Sequence, residues 1–457
     1  MNSKKINSLL LVSIVFVSLI FPRVFAQNYS FELEEVHYSQ PKWTGIAVSN
    51  TGRMFVNFPR WSVIPFSVAE IVDSQFIKYP NDEWNSWGGL TPPENHFVCV
   101  QSVYIDKENF LWILDPATLG GSVVEGGAKL LKVDLATDSI IQIIYFDELI
   151  APAESYLNDV RVDTEEDYVY ITESELGAII VVDLLSGQSR RLLDDHYSTK
   201  AEFSTLVING QTVNFEIHSD GLALSNDRNY LYYKALSAHS LYKIETEKLR
   251  DTTLNNIQLE NAVEYVIETL PCDAIEFDPD GDLYFTSIQD NAVYYLTPEL
   301  EDGLAVRDDR LKWPDSFSIT SSGEIYVTTS RIHFPPGPHG LFKITKTTTG
   351  VGHLDNEIHN KFYLSQNYPN PFNPATTIFY QIPELSFVTI KVFDVLGSEI
   401  VTLVNEEKSA GSYEVEFSAK GGATGLPSGV YFYKLQAMPN GRQASSFVET
   451  KKMMVVK

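Results

Sequence analysis

The stretch DGLALSNDRNYLYY, residues 220–233, decides the fold. Leu222 and Leu224 alternate with small residues, a polar turn follows, and a second alternating run rich in tyrosine closes the unit. This is the pattern of a half-buried β-hairpin. A carboxylate stands at the mouth of the first strand, where it needs a partner or must bear desolvation. The same arrangement recurs at TGIAVSNTGRMFV from Thr44, QSVYIDKENFLWIL from Gln101, NDVRVDTEEDYVYI from Asn158, DAIEFDPDGDLYFT from Asp273 and DSFSITSSGEIYVT from Asp315. The six copies start 57, 57, 62, 53 and 42 residues apart.

A hairpin repeated at this spacing predicts a β-propeller with one blade per copy, hence six blades. Further strand-like runs between the copies, such as AKLLKVDL (128–135), GAIIVVDL (177–184) and HSLYKIET (239–246), supply third strands. YSFELEEVHYS (29–39) is available to close the sixth blade on the first. A parallel α/β fold is excluded by the want of helical periodicity between the strands. In a propeller the strand nearest the axis comes first in each blade. Thr44, Gln101, Asn158, Asp220, Asp273 and Asp315 are therefore predicted to ring one mouth of a central channel, with His218 close by.

The 457 residues divide further. Lys4 and Lys5, the apolar run LLLVSIVFVSLIF (9–21) and VFA (24–26) make a signal peptide over 1–26, with cleavage after Ala26 and no membrane span after it. The propeller is expected over 27–346 and a polar linker over 347–361. An all-β unit follows at 362–457, expected to be a small immunoglobulin-like sandwich. The net charge of −26 is uneven: residues 27–361 hold 23 basic and 52 acidic residues, net −29, whereas 362–457 sum to zero. Such a field repels nucleic acid and anionic membranes and favours cations. Cys99 and Cys272 are too few for a disulfide framework, and the sequence leaves their pairing open.

The ring suggests chemistry of two kinds. Asn158, Asp220 and Asp273 present hard oxygen donors, so Ca²⁺ or another divalent metal is one candidate; strand capping by the same side chains is the other. Trp43, Trp61, Trp84, Trp87 and Phe97 crowd the first repeats. An acidic pocket with aromatic walls suits a cationic or aromatic small molecule, whereas Arg60 and Trp61 are expected to pack within the sheets and Arg190 and Arg191 to pair at the surface. No nucleophile elbow, zinc-spaced His/Cys cluster or phosphate loop occurs; the glycine-rich GGSVVEGGA (120–128) lacks a following helix.

Two resemblances add to this reading. LSQNYPNPFNPATTIFYQIP, VFDVLGSEIVTLV, AGSYEVEF, SGVYFYKL and the closing TKKMMVVK resemble the type A C-terminal sorting domain of the type IX secretion system. That implies an outer-membrane secretion machinery as partner of 362–457 and a secreted or cell-surface location by way of the periplasm. GRMFVNFPRWSVIPFSVAEI, LWILDPATLGG, AKLLKVDLATDSII, GQSRRLLDD, ALSNDRNYLYYKALSAHSLYKIETEKLRD and LKWPDSFSITSSGEIYVTTSR resemble the major royal jelly protein and yellow family over nearly all of 40–346. This implies a six-bladed propeller whose relatives bind amines or sterols at the channel mouth or are associated with dopachrome conversion. The family's cysteines are missing, so its disulfides do not carry over. Gluconolactonase-like propellers hold an axial metal through Glu, Asn and Asp. Asn158 and Asp220 suit two of those places with Asp273 nearby, but Thr44 stands where the glutamate would start the first blade. The expected function is binding of a small ligand at the acidic mouth, with a metal-dependent lactone hydrolase or a dopachrome-type isomerase as the alternative.

Overall fold

A computed structural model describes residues 28–349, 362–367, 370, 372–409, 411–419, 426–439 and 447–456. The leader expected at 1–26 and most of the linker expected at 347–361 lie outside the described residues. The chain forms two compact units, 1–350 and 351–457.

The first unit contains six four-stranded antiparallel sheets. Their innermost strands are Ile46–Val48, Ser102–Ile105, Leu157–Asp163, Ser219–Leu224, Ile275–Phe277 and Pro314–Ile319. Each inner strand touches that of the next sheet, and the sixth touches the first, which closes a ring around one axis. This is a six-bladed β-propeller. Five blades are consecutive in sequence; the sixth takes its outer strand, Asn28–Ser39, from the start of the chain, paired antiparallel with His339–Thr349. The pairing runs from Asn28 opposite Thr349 to Ser39 opposite His339, so residues 347–349 belong to this strand rather than to a linker.

Period-2 alternation explains the packing. Every blade turns one apolar face to each neighbour, and a separate buried cluster fills each of the six gaps. Trp112, Leu130, Val160 and Ile180 pack between blades 2 and 3, and Tyr170, Leu222, Tyr233 and Ile244 between blades 3 and 4. Phe31 and Leu33 of the closing strand pack onto Tyr284 and Phe342 between blades 5 and 6.

The inner hairpins share one turn device. Five residues after each ring position stands Ser49, Asp106, Asp163, Ser225, Asp278 or Thr320, whose side-chain oxygen accepts main-chain N–H groups of its own turn. Short polar side chains that imitate a backbone acceptor favour such turns. Blades are also stapled in sequence. Asn57 Nδ2 donates to Gln101 O at 2.9 Å, Thr172 Oγ1 to Asp220 O at 2.7 Å, and Thr328 Oγ1 to Thr44 O. These bonds hold the main chain of ring residues and leave side chains available. Glycine follows the ring position where strands approach closest: a Cβ on Gly45 would lie 2.3 Å from Asn57 Oδ1, and one on Gly221 3.1 Å from Asp273 O.

The second unit is a two-sheet β-sandwich. Tyr363–Leu364, Ala375–Ile382 and Gly411–Ser418 form one sheet. Glu399–Lys408, Ser386–Phe393, Gly429–Pro439 and Phe447–Val455 form the other, in that order. Ile378, Tyr380, Val388, Ile390, Tyr433, Leu435 and Met453 fill its core.

Candidate functional site

Antiparallel strand order sends the start of every inner strand, the connections between second and third strands, and the crossings between blades to the same end of the propeller. Five of the six ring positions gather functional groups there. Thr44 does not. It is wholly buried, donates to Gln101 O at 2.8 Å and accepts from Asn57 Nδ2 at 2.8 Å, so it is a blade staple.

A relay of hydrogen bonds runs along the rim. Trp61 Nε1 donates to the Tyr156 hydroxyl at 2.9 Å, that hydroxyl donates to Gln101 Oε1 at 2.8 Å, and Gln101 Nε2 donates to Asn158 Oδ1 at 2.9 Å. Asn158 in turn donates toward Ser174 Oγ at 3.3 Å and hydrogen-bonds the Asp220 carboxylate. Across the mouth, Trp313 Nε1 donates to Asp273 Oδ2 at 2.6 Å, and Ser316 Oγ donates to Asp315 Oδ1 at 3.1 Å.

Asp159, Asp220, Asp273 and Asp315 share one electrostatic field. Burial pushes Asp220 well above the usual carboxylate range, and the charges of Asp159 and Asp315 push it further; only the Asn158 bond opposes them. Asp273, the most open of the four, is raised by burial and then by Asp315 and Asp220. Burial brings Asp315 to about 7, against the hydrogen bond from Ser316. No ion pair joins any of the four among the described residues.

The sign of the stability effect follows. Asp315 binds its proton more tightly folded than unfolded, so its contribution is greatest in acid and is lost as pH rises from about 4 to about 7. Asp315→Asn is therefore expected to stabilise the propeller at pH 8, on the order of 2 kcal/mol. The advantage should shrink toward pH 4. Thermal melts at the two pH values check this, and an equal or lower melting temperature at pH 8 would contradict it.

Below the carboxylates the channel is blocked. Arg161 reaches from the inner strand of blade 3 past blade 4 to blade 5, with Nη2 3.0 Å from Ile275 O and Nε 2.9 Å from Glu276 Oε2. Its guanidinium lies 5.1 Å from the Tyr104 ring centre of blade 2. Arg161 thus spans the axis between blades 2, 3 and 5.

Beside it opens a cavity of about 340 Å³ lined by Trp61, Thr118, Gly120, Gly121, Glu154, Tyr156 and Glu175. Trp61 is 44% exposed, contrary to its expected packing within the sheets. Arg60 donates from Nε to Val98 O at 2.9 Å and covers the Trp87 ring, while Trp43 and Trp84 pack in the core or beside it. Of the five aromatic residues noted in the first repeats, only Trp61 lines the cavity.

Two fully buried carboxylates position this rim, and the sequence reading passed over both. Asp115 ends the second strand of blade 2 and accepts from Val98, Cys99 and Ala117 N–H at 2.7, 2.9 and 3.0 Å. Lys129 Nζ lies 3.1 Å from it and also donates to Pro93 O and Gly127 O. Glu173 holds the matching place in blade 3, accepting from Tyr156 and Glu175 N–H at 2.9 and 3.0 Å and pairing with Arg191 at 2.7 Å. Arg191 is thereby a buried partner rather than a surface one. The signal was available in the aligned copies: MFVN, LWILD and VYITE all end an apolar strand on a polar residue.

His218 stands apart from the ring. Its Nδ1 accepts from Ala201 N–H at 3.0 Å, and its pKa is depressed by burial and then by Lys200, with no ring carboxylate among the charges acting on it. Cys99 and Cys272 are both buried free thiols. The donor set does not fit the expected metal. Among the described residues no three His, Cys, Asp or Glu side chains gather to hold an ion. The Asn158 oxygen already accepts from Gln101, and an Asp273 oxygen from Trp313.

The family described as Major royal jelly protein matches residues 98–335, and that described as Secretion system C-terminal sorting domain matches 366–451. Major royal jelly protein 6 of Apis mellifera is 24% identical over 284 residues, covering 59% of this chain and 60% of that protein. Major royal jelly protein 1 of the same organism is 24% identical over 257 residues, covering 53% and 59%. The chain thus spans about three fifths of the length of these relatives. Among solved structures, a gluconolactonase of Xanthomonas campestris aligns at 11% identity over 69% of this chain and 90% of its own, with a TM-score of 0.44. PorZ, a surface component of the type-IX secretion system of Porphyromonas gingivalis, aligns at 15% identity over 90% of this chain and 51% of its own, with a TM-score of 0.38.

Proposed function

Because the chain belongs to the major royal jelly protein family and carries a sorting domain that directs it through type IX secretion to the cell surface or beyond, we propose that this exported propeller binds a small cationic ligand at its channel mouth. One observation carries the reading: Asp159, Asp220, Asp273 and Asp315 converge there, three of them nearly buried, and none is in an ion pair among the described residues. Unpaired buried charge is costly, and a ligand ammonium group offsets that cost. The exposed face of Trp61 and the ring of Tyr156 supply an aromatic wall for the rest of the molecule. Arg161, which spans the axis and pairs with Glu276, limits the occupant to a small molecule.

Calorimetry with tyramine and with its uncharged analogue 4-ethylphenol tests the proposal. Tyramine should bind and 4-ethylphenol should bind at least about tenfold more weakly. Asp220→Asn should cost tyramine about tenfold or more in Kd. Binding should strengthen as pH rises through about 7, where Asp315 loses its proton. Equal binding of the two compounds, or an unchanged Kd in Asp220→Asn, would overturn the reading.

A second reading has one observation in its favour. A carboxyl group poised near neutrality is suited to accept and return a proton, so Asp315 supports a dopachrome-type isomerase. Dopachrome conversion that persists undiminished in Asp315→Asn would remove it. Metal-dependent lactone hydrolysis has no assembled donor set to support it.

A further inference from the structure

The fully buried lysines of this propeller are saturated with acceptors. Lys129 reaches three oxygen atoms, and Lys234 reaches Thr269 Oγ1 and Leu270 O. Lys42 differs. It is half-buried two residues ahead of Thr44, and its Nζ has no hydrogen bond or ion pair among the described residues. It lies 5.6 Å from the centre of the Trp61 ring, whose indole N–H is fixed on Tyr156 at the edge of the mouth cavity. Burial lowers its pKa, opposed by the charge of Asp315. His333 and His339 face the same amine and are themselves depressed, His339 to about 4, so neither brings a positive charge near neutrality. A half-buried amine beside an aromatic ring that itself lines a cavity, with no hydrogen bond or ion pair holding it among the described residues, is a setting in which lysine acts as a nucleophile.

We propose that Lys42 condenses with the carbonyl group of a small aldehyde or ketone that enters the mouth, forming an imine. The neutral amine attacks the carbonyl carbon, and the C=O π pair moves to oxygen. Transfer of an amine proton to that oxygen gives a carbinolamine. The protonated Asp315 carboxyl group then gives its proton to the hydroxyl, which leaves as water while the nitrogen lone pair closes the C=N bond. The resulting iminium returns a proton to Asp315. One carbonyl compound and one amine yield one imine and one water, with Asp315 restored and no oxidant or reductant consumed. Trp61 shields one side of the adduct and offers a surface to an aromatic carbonyl compound.

This inference shares the mouth with the proposed ligand site but not its chemistry, because an uncharged aldehyde gains nothing from the acidic field. The test treats the full-length protein at neutral pH with benzaldehyde and sodium cyanoborohydride, which reduces the imine to a stable secondary amine, followed by peptide mass spectrometry. Lys42 should be labelled severalfold faster than the solvent-exposed lysines, because burial favours its neutral form. Lys42→Arg should abolish label on that peptide alone, and Asp315→Asn should slow labelling of Lys42 without changing the background at other lysines. Labelling at Lys42 no faster than the background, or undiminished in Asp315→Asn, would overturn the nucleophile or its proton donor respectively. Tyramine binding measured in parallel separates this outcome from failure of the cation site.

Discussion

Lys346→Met is expected to lower the stability of the propeller by about 3–5 kcal/mol, the usual cost of stranding buried charge. Lys346 Nζ lies 2.7, 3.0 and 2.7 Å from carboxylate oxygens of Asp278, Asp280 and Asp282 and 4.0 Å from the Tyr29 ring centre. Asp278 and Asp282 are 2% and 1% exposed, so water cannot replace the lost ammonium. Burial disfavours the charge on Lys346, but bonds to Asp278 and Asp282 overcome it and raise its pKa. A lysine so raised contributes its stability below the ordinary lysine pKa, hence throughout the neutral range. The deficit should narrow in acid as Asp278, already raised by burial, takes up a proton. Denaturant midpoints for the full chain at pH 7 and pH 5 measure both effects. Asp280→Asn is the control, with a change near zero, because that carboxylate is largely exposed. A loss under about 1 kcal/mol in Lys346→Met at pH 7 would contradict the account.

Asp115→Ala is expected to cost a similar amount, about 3–5 kcal/mol, by a different route. It leaves the Lys129 ammonium buried without its carboxylate and removes the acceptor of three main-chain N–H groups. Each orphaned buried donor carries a desolvation cost of about 1–3 kcal/mol. The damage should be local before it is global. Amides of Val98, Cys99 and Ala117 should exchange with solvent faster than those of blade 5, which shares none of these bonds. Tyramine affinity should fall as well, because Gln101 follows this loop directly and Thr118 lines the cavity. Adding Lys129→Met should recover the part of the loss due to the stranded charge, but not the faster exchange. Unaltered exchange at the three amides would show that Asp115 does not organise the rim.

The fold was legible because the inner hairpins carry three signals at once: an alternating strand, a short polar turn and a second alternating strand. Leu222, Leu224, Tyr230 and Tyr233 alone suffice to place one blade, and six such units fix the axis. The candidate site was legible in part. Asp220, Asp273 and Asp315 stand out in the sequence because a polar residue at a strand start breaks the apolar pattern. Thr44 has the same place in the pattern, yet its hydroxyl is short enough to reach the next blade's backbone and is used there. His218 sits only two residues from Asp220, but its loop carries it to Ala201. Tyr156 lies on a connection held by the buried Glu173, and Lys42 on the connection entering the first blade, so no local pattern announces either; Trp61 is visible in the sequence as one of several aromatics but not as the one that lines the cavity. For the metal, Asn158 Oδ1 accepts from Gln101 and one Asp273 oxygen from Trp313, so hydrogen bonds within the protein compete for part of the donor set the sequence offers.

Asn28–Ser39 waits for its partner until His339–Thr349 has been synthesised. Until then the circle is open, and sheet edges and the apolar faces of blades 5 and 6 stay uncovered. The sorting domain is translated later still. A chain truncated before His339–Thr349 therefore also lacks its export address, so a ring that was never able to close is not dispatched. The order of synthesis makes possession of the address a certificate that the circle has both its ends.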